Sequence, residues 1–465
     1  MTAIAFDNSY ARLPDQFYTK LAPTPVKEPT LRAWNSALAA DLGLPAMDDA
    51  TKAGIFGGND VPDGADPLAA LYAGHQFGNW NPQLGDGRAI LLGEVTPGGD
   101  RFDIQLKGSG PTPYSRMGDG RNWVGPALRE YMVSEAMHAL GIPTTRALAI
   151  VTTGETVVRE APLPGAIVTR VAHSHIRVGT FQVFAAREDV DALDALTQHT
   201  IARHYPDAKG PSGLLSAVVQ AQAKLIARWM SVGFIHGVMN TDNAQVAGET
   251  IDYGPCAFMD AYHPSKVFSS IDQRGRYAYA NQPNIGAWNM AQLATALLPL
   301  MPDRDAAIEE FTEIVNSFSD AYQDAWCTAF GAKLGLTSVE DAEITLIGDL
   351  LSMMTETQSD FTNNFIALHD APKSATVAAH EGFTDWLANW QERQPDRALM
   401  AQTNPQVIPR NHLVEEAIQS AVYDSWEPFE AMNAVLATPF EAPEDARFTT
   451  PPTPDQEVRQ TFCGT

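Results

Sequence analysis

The sequence predicts an α+β protein with two lobes, in which a sheet-rich N-terminal lobe precedes a larger helical lobe. Residues 101–107 alternate strictly between polar and apolar side chains, which is typical of a half-buried β-strand. Residues 166–171 form a short apolar run rich in β-branched side chains, which also favours a strand. From about Val190 onward the apolar residues recur at helical spacing instead. This change of period along the chain predicts two lobes of unlike structure.

The N-terminal lobe is expected to contain further strands and one long helix. Residues 89–94 and 147–151 are apolar runs of strand length. Before the second of these runs, a helix is predicted from about residue 126 to residue 140, with a proline near its start. Gly141 and Pro143 follow this helix and are expected to end it.

The second lobe is expected to be helical, and the chain is expected to end in an extended tail. Helical spacing recurs in five later stretches, residues 286–300, 304–330, 337–358, 374–391 and 411–436. The last part of the chain is rich in Pro, Thr and acidic residues, which favours an extended segment. We therefore predict an N-terminal lobe with an N-terminal extension over residues 1–185, a helical lobe over residues 186–437 and a tail over residues 438–465.

The composition excludes several classes of protein. Hydrophobic residues make up 45 % of the chain, which is enough for a large core, and the net charge is −25 at pH 7. Such an acidic surface repels nucleic acids and anionic membranes. Three cysteines without a CxxC pair argue against a disulfide framework and a thiolate zinc site. Because the N-terminus lacks a secretory signal and no apolar run reaches ~18 residues, we expect a cytoplasmic protein with no nucleic acid or membrane as partner.

One segment in the helical region carries an ordered set of polar residues. His236 and Asn243 are seven residues apart, and Asp252-Tyr253-Gly254 follows after a predicted short hairpin. Protein kinases place an H-R-D-x-x-x-x-N loop and a D-F-G motif in this order. The amide oxygen of Asn243 and the carboxylate of Asp252 are hard ligands that suit Mg²⁺ bridging phosphates, and capping of turns is the alternative role. The combined pattern predicts a protein-kinase-like fold that binds ATP with Mg²⁺.

Two weaker signals precede this segment. Gly85 and Gly87 lie in a glycine-rich turn, where backbone N–H groups can approach phosphates, although a plain hairpin is the commoner explanation. Lys107 ends its predicted strand and Glu130 lies on the next helix, as in the lysine–glutamate pair that holds ATP phosphates in kinases. A surface lysine and an exposed helix acid are the alternative for this pair.

The residue two positions after the histidine departs from the kinase pattern. A kinase has an aspartate there that accepts the proton of the substrate hydroxyl, whereas this chain has Val238. The nearest acidic residue is Asp242, beside Asn243. We interpret Asp242 as the replacement base, and a metal ligand or a loop-capping acid are the other roles that the sequence leaves open.

The sequence resembles the selenoprotein O family of protein adenylyltransferases and in particular its bacterial members. Several long and uncommon strings carry the resemblance, including YAGHQFG, LKGSGPTPYSR and HGVMNTDN. They lie at residues 6–11, 72–78, 83–88, 106–116, 118–121, 128–131 and 236–243. The resemblance extends to about residue 290, and the helical region beyond it matches more loosely.

The resemblance implies a pseudokinase fold and the transfer of AMP, not phosphate, from ATP to Ser, Thr or Tyr hydroxyls of proteins. It implies that an inverted nucleotide is bound by Gly85, Gly87, Arg88, Lys107, Asp119, Gly120, Glu130, Arg170, Arg177 and Asp252. It also implies Asn243 and Asp252 as ligands of Mg²⁺, with Mn²⁺ as an alternative, and Asp242 as the proton acceptor. The expected partners are ATP and protein substrates, with redox-related proteins among the candidates.

The implied reaction requires cations at the leaving group. Attack at the α-phosphorus releases pyrophosphate, and Mg²⁺, Lys107, Arg170 and Arg177 are candidates to stabilise its charge. Arginine suits this role because its planar fork binds phosphate oxygens in pairs, and surface solubility is the alternative for both arginines. A kinase that uses Asp242 as base and an inactive ATP-binding scaffold remain the other functions, although a scaffold need not keep a complete metal site.

The cysteines depart in part from the pattern that the resemblance implies. Family members often carry a cysteine or selenocysteine close to the C-terminus, where this chain has Cys463. Some carry a second cysteine about sixteen residues after the metal-binding aspartate, where this chain has Phe268. Cys256 is a substitute partner only if the tail returns to the site, and an unpaired tail thiol is the alternative.

Overall fold

The computed structural model describes residues 4–462, and its N-terminal lobe is built on an antiparallel seven-stranded sheet. The strands are β1 (Tyr18–Lys20), β2 (Thr30–Trp34), β3 (Leu68–Ala70), β4 (Gly74–Gln76), β5 (Asn79–Asn81), β6 (Ala89–Val95), β7 (Phe102–Lys107), β8 (Arg146–Val158), β9 (Pro162–Ala172), β10 (Phe234–Ile235) and β11 (Ala257–Phe258). The large sheet has the order β1-β3-β6-β7-β9-β8-β2, whereas β4 pairs with β5 and β10 pairs with β11.

The helices lie mainly in the second half of the chain. They are α1 (Ser36–Asp41), α2 (Asp49–Phe56), α3 (Val124–Ala139), α4 (Val178–Ala186), α5 (Val190–His204), α6 (Gly210–Ser231), α7 (Gln282–Leu297), α8 (Arg304–Lys333), α9 (Asp341–Glu356), α10 (Phe361–Asp370), α11 (Phe383–Glu392), α12 (Arg397–Thr403), α13 (Asn411–Val422) and α14 (Glu427–Leu436). The predicted α+β class, with a sheet lobe and a larger helical lobe, is confirmed.

Helix α3 is the long helix that the sequence predicts in the N-terminal lobe. It packs on β8 and β9, and its other side is covered by α13 and α14 from the end of the chain. Arg129 on α3 donates to Asn411 at 3.3 Å and forms an ion pair with Glu415, both on α13. The helix ends before Gly141, whose φ of 72° lies in the left-handed region that glycine favours. The last two helices therefore fix α3 from behind, while its front faces the sheet.

Strand β7 is buried on both faces, and not on one face as the alternating pattern predicts. Its apolar residues pack in the core under α1 and α2, as expected. Its polar residues are buried as well, because Asp103 pairs with Arg203 and Gln105 donates to Asp86 at 3.2 Å. Lys107 at its end pairs with Glu130. A polar face that is covered by partner side chains has the same sequence pattern as a face in water, which explains the wrong prediction.

The helical lobe agrees with the predicted stretches in part. The predictions over residues 286–300, 304–330 and 337–358 correspond to α7, α8 and α9. Helices α10 and α12 were not predicted, and the stretch 374–391 is helical in the α form only from Phe383. The stretch 411–436 is two helices, because the chain turns between them at Asp424, which has a left-handed φ of 64°. Short helices and a tight turn leave the apolar spacing almost unchanged, so the pattern merges them.

The segment between Asn243 and Asp252 contains the predicted turn but not the predicted hairpin. The N–H of Gly248 donates to the carbonyl of Gln245, and Gly248 has a φ of 74°. The residues on either side do not pair with each other, since Gln245 bridges to Arg177 and Thr250 bridges to Thr144. This segment follows residues 236–243, which we call the catalytic loop after the corresponding loop of kinases. It therefore connects that loop to the start of α4 and to the residues just before β8.

The tail crosses the body of the protein and returns towards the middle of the chain. Its N–H at Thr461 donates to the carbonyl of Phe268 at 2.8 Å, and its hydroxyl donates to the carbonyl of Pro255 at 2.6 Å. The end of the described tail is therefore held against the segment that contains Pro255 and Phe268. In the described part of the chain, no helix combines the length and the apolar character needed to cross a bilayer.

Candidate active site

A cavity of about 650 Å³ lies between the sheet and the helical lobe. All the site residues predicted from the sequence line it: Gly85, Gly87, Arg88, Lys107, Asp119, Gly120, Glu130, Arg170, Arg177, Asp242, Asn243 and Asp252. They come from the turn before β6, the end of β7, the loop after it, α3, β9, the start of α4 and the catalytic loop. The fold brings these distant parts of the sequence to one place, and their individual roles stay predictions.

The inner wall of the cavity is a network of two cations and two carboxylates. Lys107 Nζ lies 2.6 Å from Glu130 Oε2 and 2.7 Å from Asp252 Oδ1. Arg170 donates from Nε to Glu130 Oε1 at 2.6 Å and from Nη2 to Asp252 Oδ1 at 2.9 Å. Burial alone raises the pKa of Asp252, but Lys107, Arg170 and Arg177 lower it well below its usual range. Both carboxylates are therefore ionised, and they hold the two cations at the cavity wall.

Asp252 occupies an unusual backbone conformation at this wall. Its φ is 63°, in the left-handed region that non-glycine residues seldom adopt. One carboxylate oxygen, Oδ1, accepts from both Lys107 and Arg170. About 30 % of the side chain is exposed to the cavity, so the carboxylate also faces the space where a nucleotide would lie. A strained aspartate at a cavity wall is typical of a functional site.

Arg177 approaches the cavity from the N-terminus of α4. It is 2 % exposed, its guanidinium lies 4.5 Å from the ring centre of Tyr72, and it donates to the carbonyl of His175 at 3.1 Å. Its nearest carboxylate oxygen belongs to Asp86, at 3.6 Å, and its Nε has no hydrogen-bond partner among the described residues. A buried cation with an unused donor suits an anionic ligand such as a phosphate oxygen.

The glycines at the cavity leave room for two loops to approach each other. A Cβ on Gly85 would lie 2.5 Å from the Tyr114 ring, and one on Gly87 would lie 2.8 Å from the carbonyl oxygen of Tyr114. Gly120 has a φ of 66°, and a Cβ there would lie 2.1 Å from the carbonyl of Gly110. The turn before β6 and the loop after β7 are thus packed backbone on backbone. Side chains at these positions would collide with Tyr114 or Gly110 and force this packing apart.

Asp119 is held by an arginine that the sequence analysis did not single out. Arg159 donates to both carboxylate oxygens of Asp119, at 2.8 and 3.0 Å, and the N–H of Arg121 donates to Oδ1 at 2.9 Å. Arg159 and Arg121 also line the cavity. Arg121 lies in one of the recognised sequence strings, whereas Arg159 lies at a strand end in no motif. Arg88 adds a further cation, since its Nη1 is buried and has no partner among the described residues.

Asp242 lines the same cavity and has few partners. Its Oδ2 accepts from Gln76 Nε2 at 3.0 Å, and its Oδ1 is buried without a hydrogen-bond partner in the described part of the chain. Burial raises the pKa of Asp242 to about 6, although the hydrogen bond from Gln76 acts to lower it. Val238 lines the same cavity, so the kinase position that lacks an aspartate and the candidate replacement face one space.

Asn243 and His236 fix the loop that carries Asp242. The amide nitrogen of Asn243 donates to the carbonyl of Val238 at 3.0 Å, which leaves its Oδ1 available to a ligand. The ring Nε2 of His236 lies 2.8 Å from the carbonyl oxygen of Ile251, the residue before Asp252. His236 is buried and links the two segments that carry the candidate metal ligands.

The donor set at this site fits a hard divalent cation. Asn243 and Asp252 offer one amide and one carboxylate oxygen, the ligand types that Mg²⁺ takes beside substrate phosphates. In residues 4–462, no group of three or more His, Cys, Asp or Glu side chains is arranged to hold a metal by itself. Two protein ligands agree with an ion that is completed by nucleotide oxygens and water.

The tail lies beside this site, and Cys463 falls outside the described residues. Thr461 contacts Phe268, the position of the second cysteine in some family members, and Pro255, which lines the cavity. Cys256 follows Pro255 and is fully buried. The condition that the tail must return to the site is met as far as Phe462.

Together, the kinase-like fold and a cation-rich cavity with a candidate metal site define a nucleotide-dependent transferase. Comparison with known proteins identifies the transferase more closely. The family model described as protein adenylyltransferase SelO matches residues 1–437, and the chain belongs to this family. It is a nucleotidyltransferase that acts on a nucleotide and on protein substrates.

Curated relatives match along nearly their whole length. A protein of Ruegeria sp. (strain TM1040) is 60 % identical over 468 residues, which cover 99 % of each chain. A protein of Jannaschia sp. (strain CCS1) is 61 % identical over 477 residues, covering 100 % of this chain and 99 % of the relative. A protein of Bradyrhizobium diazoefficiens is 55 % identical over 485 residues, covering 99 % of each chain. All three are named protein nucleotidyltransferase YdiU.

Proposed function

We propose that this protein transfers AMP from ATP to Ser, Thr or Tyr hydroxyls of proteins and releases pyrophosphate. The observation that carries the proposal is the combination of cations and a buried carboxylate in one cavity. Lys107, Arg170 and Arg177 supply positive charge to the cavity, and Asp242 supplies a buried carboxylate to the same cavity. The cations suit a triphosphate and the carboxylate suits a hydroxyl that must lose its proton.

The proposed bond changes require a proton acceptor and cations that stabilise the leaving group. The acceptor oxygen forms a bond to the α-phosphorus, and the bond from that phosphorus to the oxygen bridging to the β-phosphorus breaks. The hydroxyl proton goes to a carboxylate oxygen of Asp242. The electron pair of the broken bond stays on pyrophosphate, whose charge is stabilised by Lys107, Arg170 and Arg177. Val238 stands at the position of the kinase aspartate and cannot accept a proton. The buried carboxylate of Asp242 is therefore proposed as the base.

Asn243 and Asp252 are the residues that we propose to hold Mg²⁺, with Mn²⁺ as the alternative. When bound, the ion supplies Lewis-acid stabilisation of the phosphate charge. Asp252 also orients Lys107 and Arg170 through its Oδ1, so the same residue serves the metal and the cations. Glu130 is proposed to orient the same two cations from α3 without touching the nucleotide's reacting atoms.

The nucleotide is proposed to lie inverted relative to its position in kinases. Its phosphates would then face the inner cations, while Gly85, Gly87 and Gly120, which let the two loops pack closely, are proposed to contact it through their backbone. Arg88, with a buried unused donor, and Asp119, held by Arg159, are proposed as further nucleotide contacts. The inverted orientation rests on the family, and the cavity chemistry is consistent with it.

The test is labelling with ATP that carries the isotope on either the α- or the γ-phosphate, in the presence of Mg²⁺ or Mn²⁺. Label that enters protein from α-labelled ATP only, with release of pyrophosphate, is the expected result. Label from γ-labelled ATP only would instead identify a kinase and overturn the proposal. Asp252→Ala serves as the negative control, since it removes the proposed metal ligand.

A further inference from the structure

The β4–β5 hairpin, residues 74–81, reaches from the N-terminal lobe to the catalytic loop. Its two-residue turn has left-handed φ values at both positions, 51° at Phe77 and 81° at Gly78, as a type I′ turn requires. Phenylalanine is an unfavourable residue for this conformation. The ring of Phe77 packs on Tyr277 with 5.0 Å between ring centres. A costly turn that is held by packing on a second element indicates a conformation under functional constraint.

The hairpin bonds three consecutive residues of the catalytic loop, each through a different group. The N–H of Phe77 donates to the side-chain oxygen of Asn240 at 3.0 Å. The N–H of His75 donates to the hydroxyl of Thr241 at 2.7 Å. Gln76, between them, donates from its side chain to Asp242 at 3.0 Å. The two backbone bonds fix the register of hairpin and loop, so the side chain of Gln76 is delivered to Asp242.

The orientation of the Gln76 amide is set from within the hairpin. Asn81 Nδ2 donates to Gln76 Oε1 at 3.4 Å, which turns the amide nitrogen of Gln76 towards Asp242 Oδ2. The other carboxylate oxygen lies against Gly74, where a Cβ would be only 2.6 Å from it. The carboxylate is therefore confined on one side by Gly74 and bonded on the other by Gln76.

In the described part of the chain, Gln76 is the one side chain that forms a hydrogen bond with this carboxylate. Oδ1 has no hydrogen-bond partner in residues 4–462, and Gln76 is the one side chain within that range that bonds Oδ2. Arg177 and Asp252 act on Asp242 through charge at longer range and on opposite signs, and neither is bonded to it. Gln76 is thus the side chain whose hydrogen bond restricts rotation of the carboxylate, in addition to the close approach of Gly74.

We propose that Gln76 is a positioning residue for AMP transfer, which orients the carboxylate of Asp242 towards the acceptor hydroxyl. This inference rests on the proposed function, in which Asp242 accepts the proton. Gln76 itself does not exchange a proton with substrate. Its contribution is geometric, because a base must lie within hydrogen-bond reach of the proton that it removes.

The test is a comparison of Gln76→Met and Gln76→Glu with the unchanged full-length protein. Methionine keeps the length of the side chain but removes the donor, and glutamate keeps the shape but offers an acceptor. We expect kcat for AMP transfer to fall roughly 10- to 100-fold in both variants, as for a catalytic group displaced by about 1 Å. The KM for ATP and the melting temperature are expected to stay close to those of the unchanged protein.

Asn79→Ala is the matched control, since Asn79 lies opposite Gln76 on the same hairpin and its side chain is exposed. It is expected to keep the kcat of the unchanged protein. An unchanged kcat in Gln76→Met would overturn the inference. A parallel loss of melting temperature and ATP binding with kcat would also overturn it, because that result assigns Gln76 a purely structural role.

Asp242→Asn, measured beside these variants, separates the inference from the proposed function. Loss of kcat in Asp242→Asn but not in Gln76→Met removes only the role of Gln76. Full kcat in Asp242→Asn removes the base itself, and the proposed role of Gln76 with it. Loss in both, with ATP binding retained, is the result that we expect.

Discussion

The two aspartates that line the cavity, Asp252 and Asp242, have opposite surroundings. Asp252 lies beside Lys107 and Arg170, both bonded to one of its oxygens, with Arg177 near by. Asp242 lies against Gly74 and has Gln76 as its bonded side-chain partner, with no cation bonded to it among the described residues. A carboxylate among cations stays charged and organises charge around it, whereas a buried and sparsely bonded one is suited to exchange a proton. The difference indicates that Asp252 and its cations stabilise charge, whereas Asp242 is suited to proton transfer.

The largest effect is expected from the carboxylate among the cations. Asp252→Ala removes a proposed metal ligand and leaves Lys107 and Arg170 with one carboxylate fewer. We expect AMP transfer to fall by at least about 10³-fold, in the range reported for loss of electrostatic stabilisation. Single-turnover transfer measured at saturating ATP checks this. Asp349→Ala, on the surface of α9, is a control that removes an exposed carboxylate elsewhere. If Asp252→Ala kept its rate of AMP transfer, Asp252 would not be needed for charge stabilisation, and the proposed division of roles would be wrong.

The second effect is expected from Asp242, the proposed proton acceptor. Asp242→Ala should lower kcat about 10²- to 10⁴-fold, the usual contribution of a general base. ATP binding should be kept, because the cation network does not include Asp242. Calorimetric titration with ATP, beside the transfer assay, measures both properties. Equal losses of ATP binding and kcat would mean that the cations and Asp242 do not act separately.

A smaller effect is expected where the cation network meets the outer loop. Arg159→Ala removes the two hydrogen bonds to Asp119 and should raise the KM for ATP about fivefold, as for a partly exposed ion pair of about 1 kcal/mol. Little change in kcat is expected. Arg447→Ala, which removes a similar exposed ion pair with Glu416 away from the cavity, is the matched control. A large fall in kcat would place Arg159 closer to the chemistry than we propose.

The smallest effect concerns two histidines of helix α5, His199 and His204, and is expected in the free energy of unfolding. Burial lowers the pKa of His199 to about 4 and of His204 to about 3. For these two histidines, the unfolded chain binds protons first below pH ~6.5. Their contribution to stability is therefore constant above that pH and falls as the pH decreases towards ~4. Each histidine should cost about 2 kcal/mol between pH 7 and pH 5.

Denaturant unfolding at the two pH values measures this fall in the free energy of unfolding. His204→Gln, which keeps a polar side chain near Ser174, should reduce the fall by the share of one histidine. His380→Gln, where the histidine lies at the surface near Glu356, should leave the fall unchanged. An equal fall in all three proteins would show that His204 is protonated in the folded state.

The sequence predicted which residues line the cavity better than it predicted the partners of those residues. The spacing of His236, Asn243 and Asp252 survives in one chain segment, so local order was sufficient to find it. The pairing of Lys107 with Glu130 depends on the packing of strand β7 against helix α3. Spacing does not reveal this contact, and it was predicted from the kinase pattern instead. Arg159 and the hydrogen bond from Gln76 to Asp242 depend on contacts between segments far apart in sequence, which spacing does not encode.

The fold was predicted with a similar division. Long periodic elements such as α3 and α8 follow from their apolar spacing. The burial of the polar face of β7 was missed because its partners come from α5 and α3. The packing of α13 and α14 behind α3 was also missed, since no local pattern names the element that a helix will cover.

We propose that the protein transfers AMP and not phosphate, and that the cations and Asp242 act together in this transfer. Mass spectrometry of the modified protein tests it most directly, with acceptor protein incubated with ATP and Mg²⁺. We predict a mass increase of one adenosine monophosphate group on a Ser, Thr or Tyr residue, with one pyrophosphate released for each modification, and neither in Asp252→Ala. An increase of one phosphate group in its place would contradict the account.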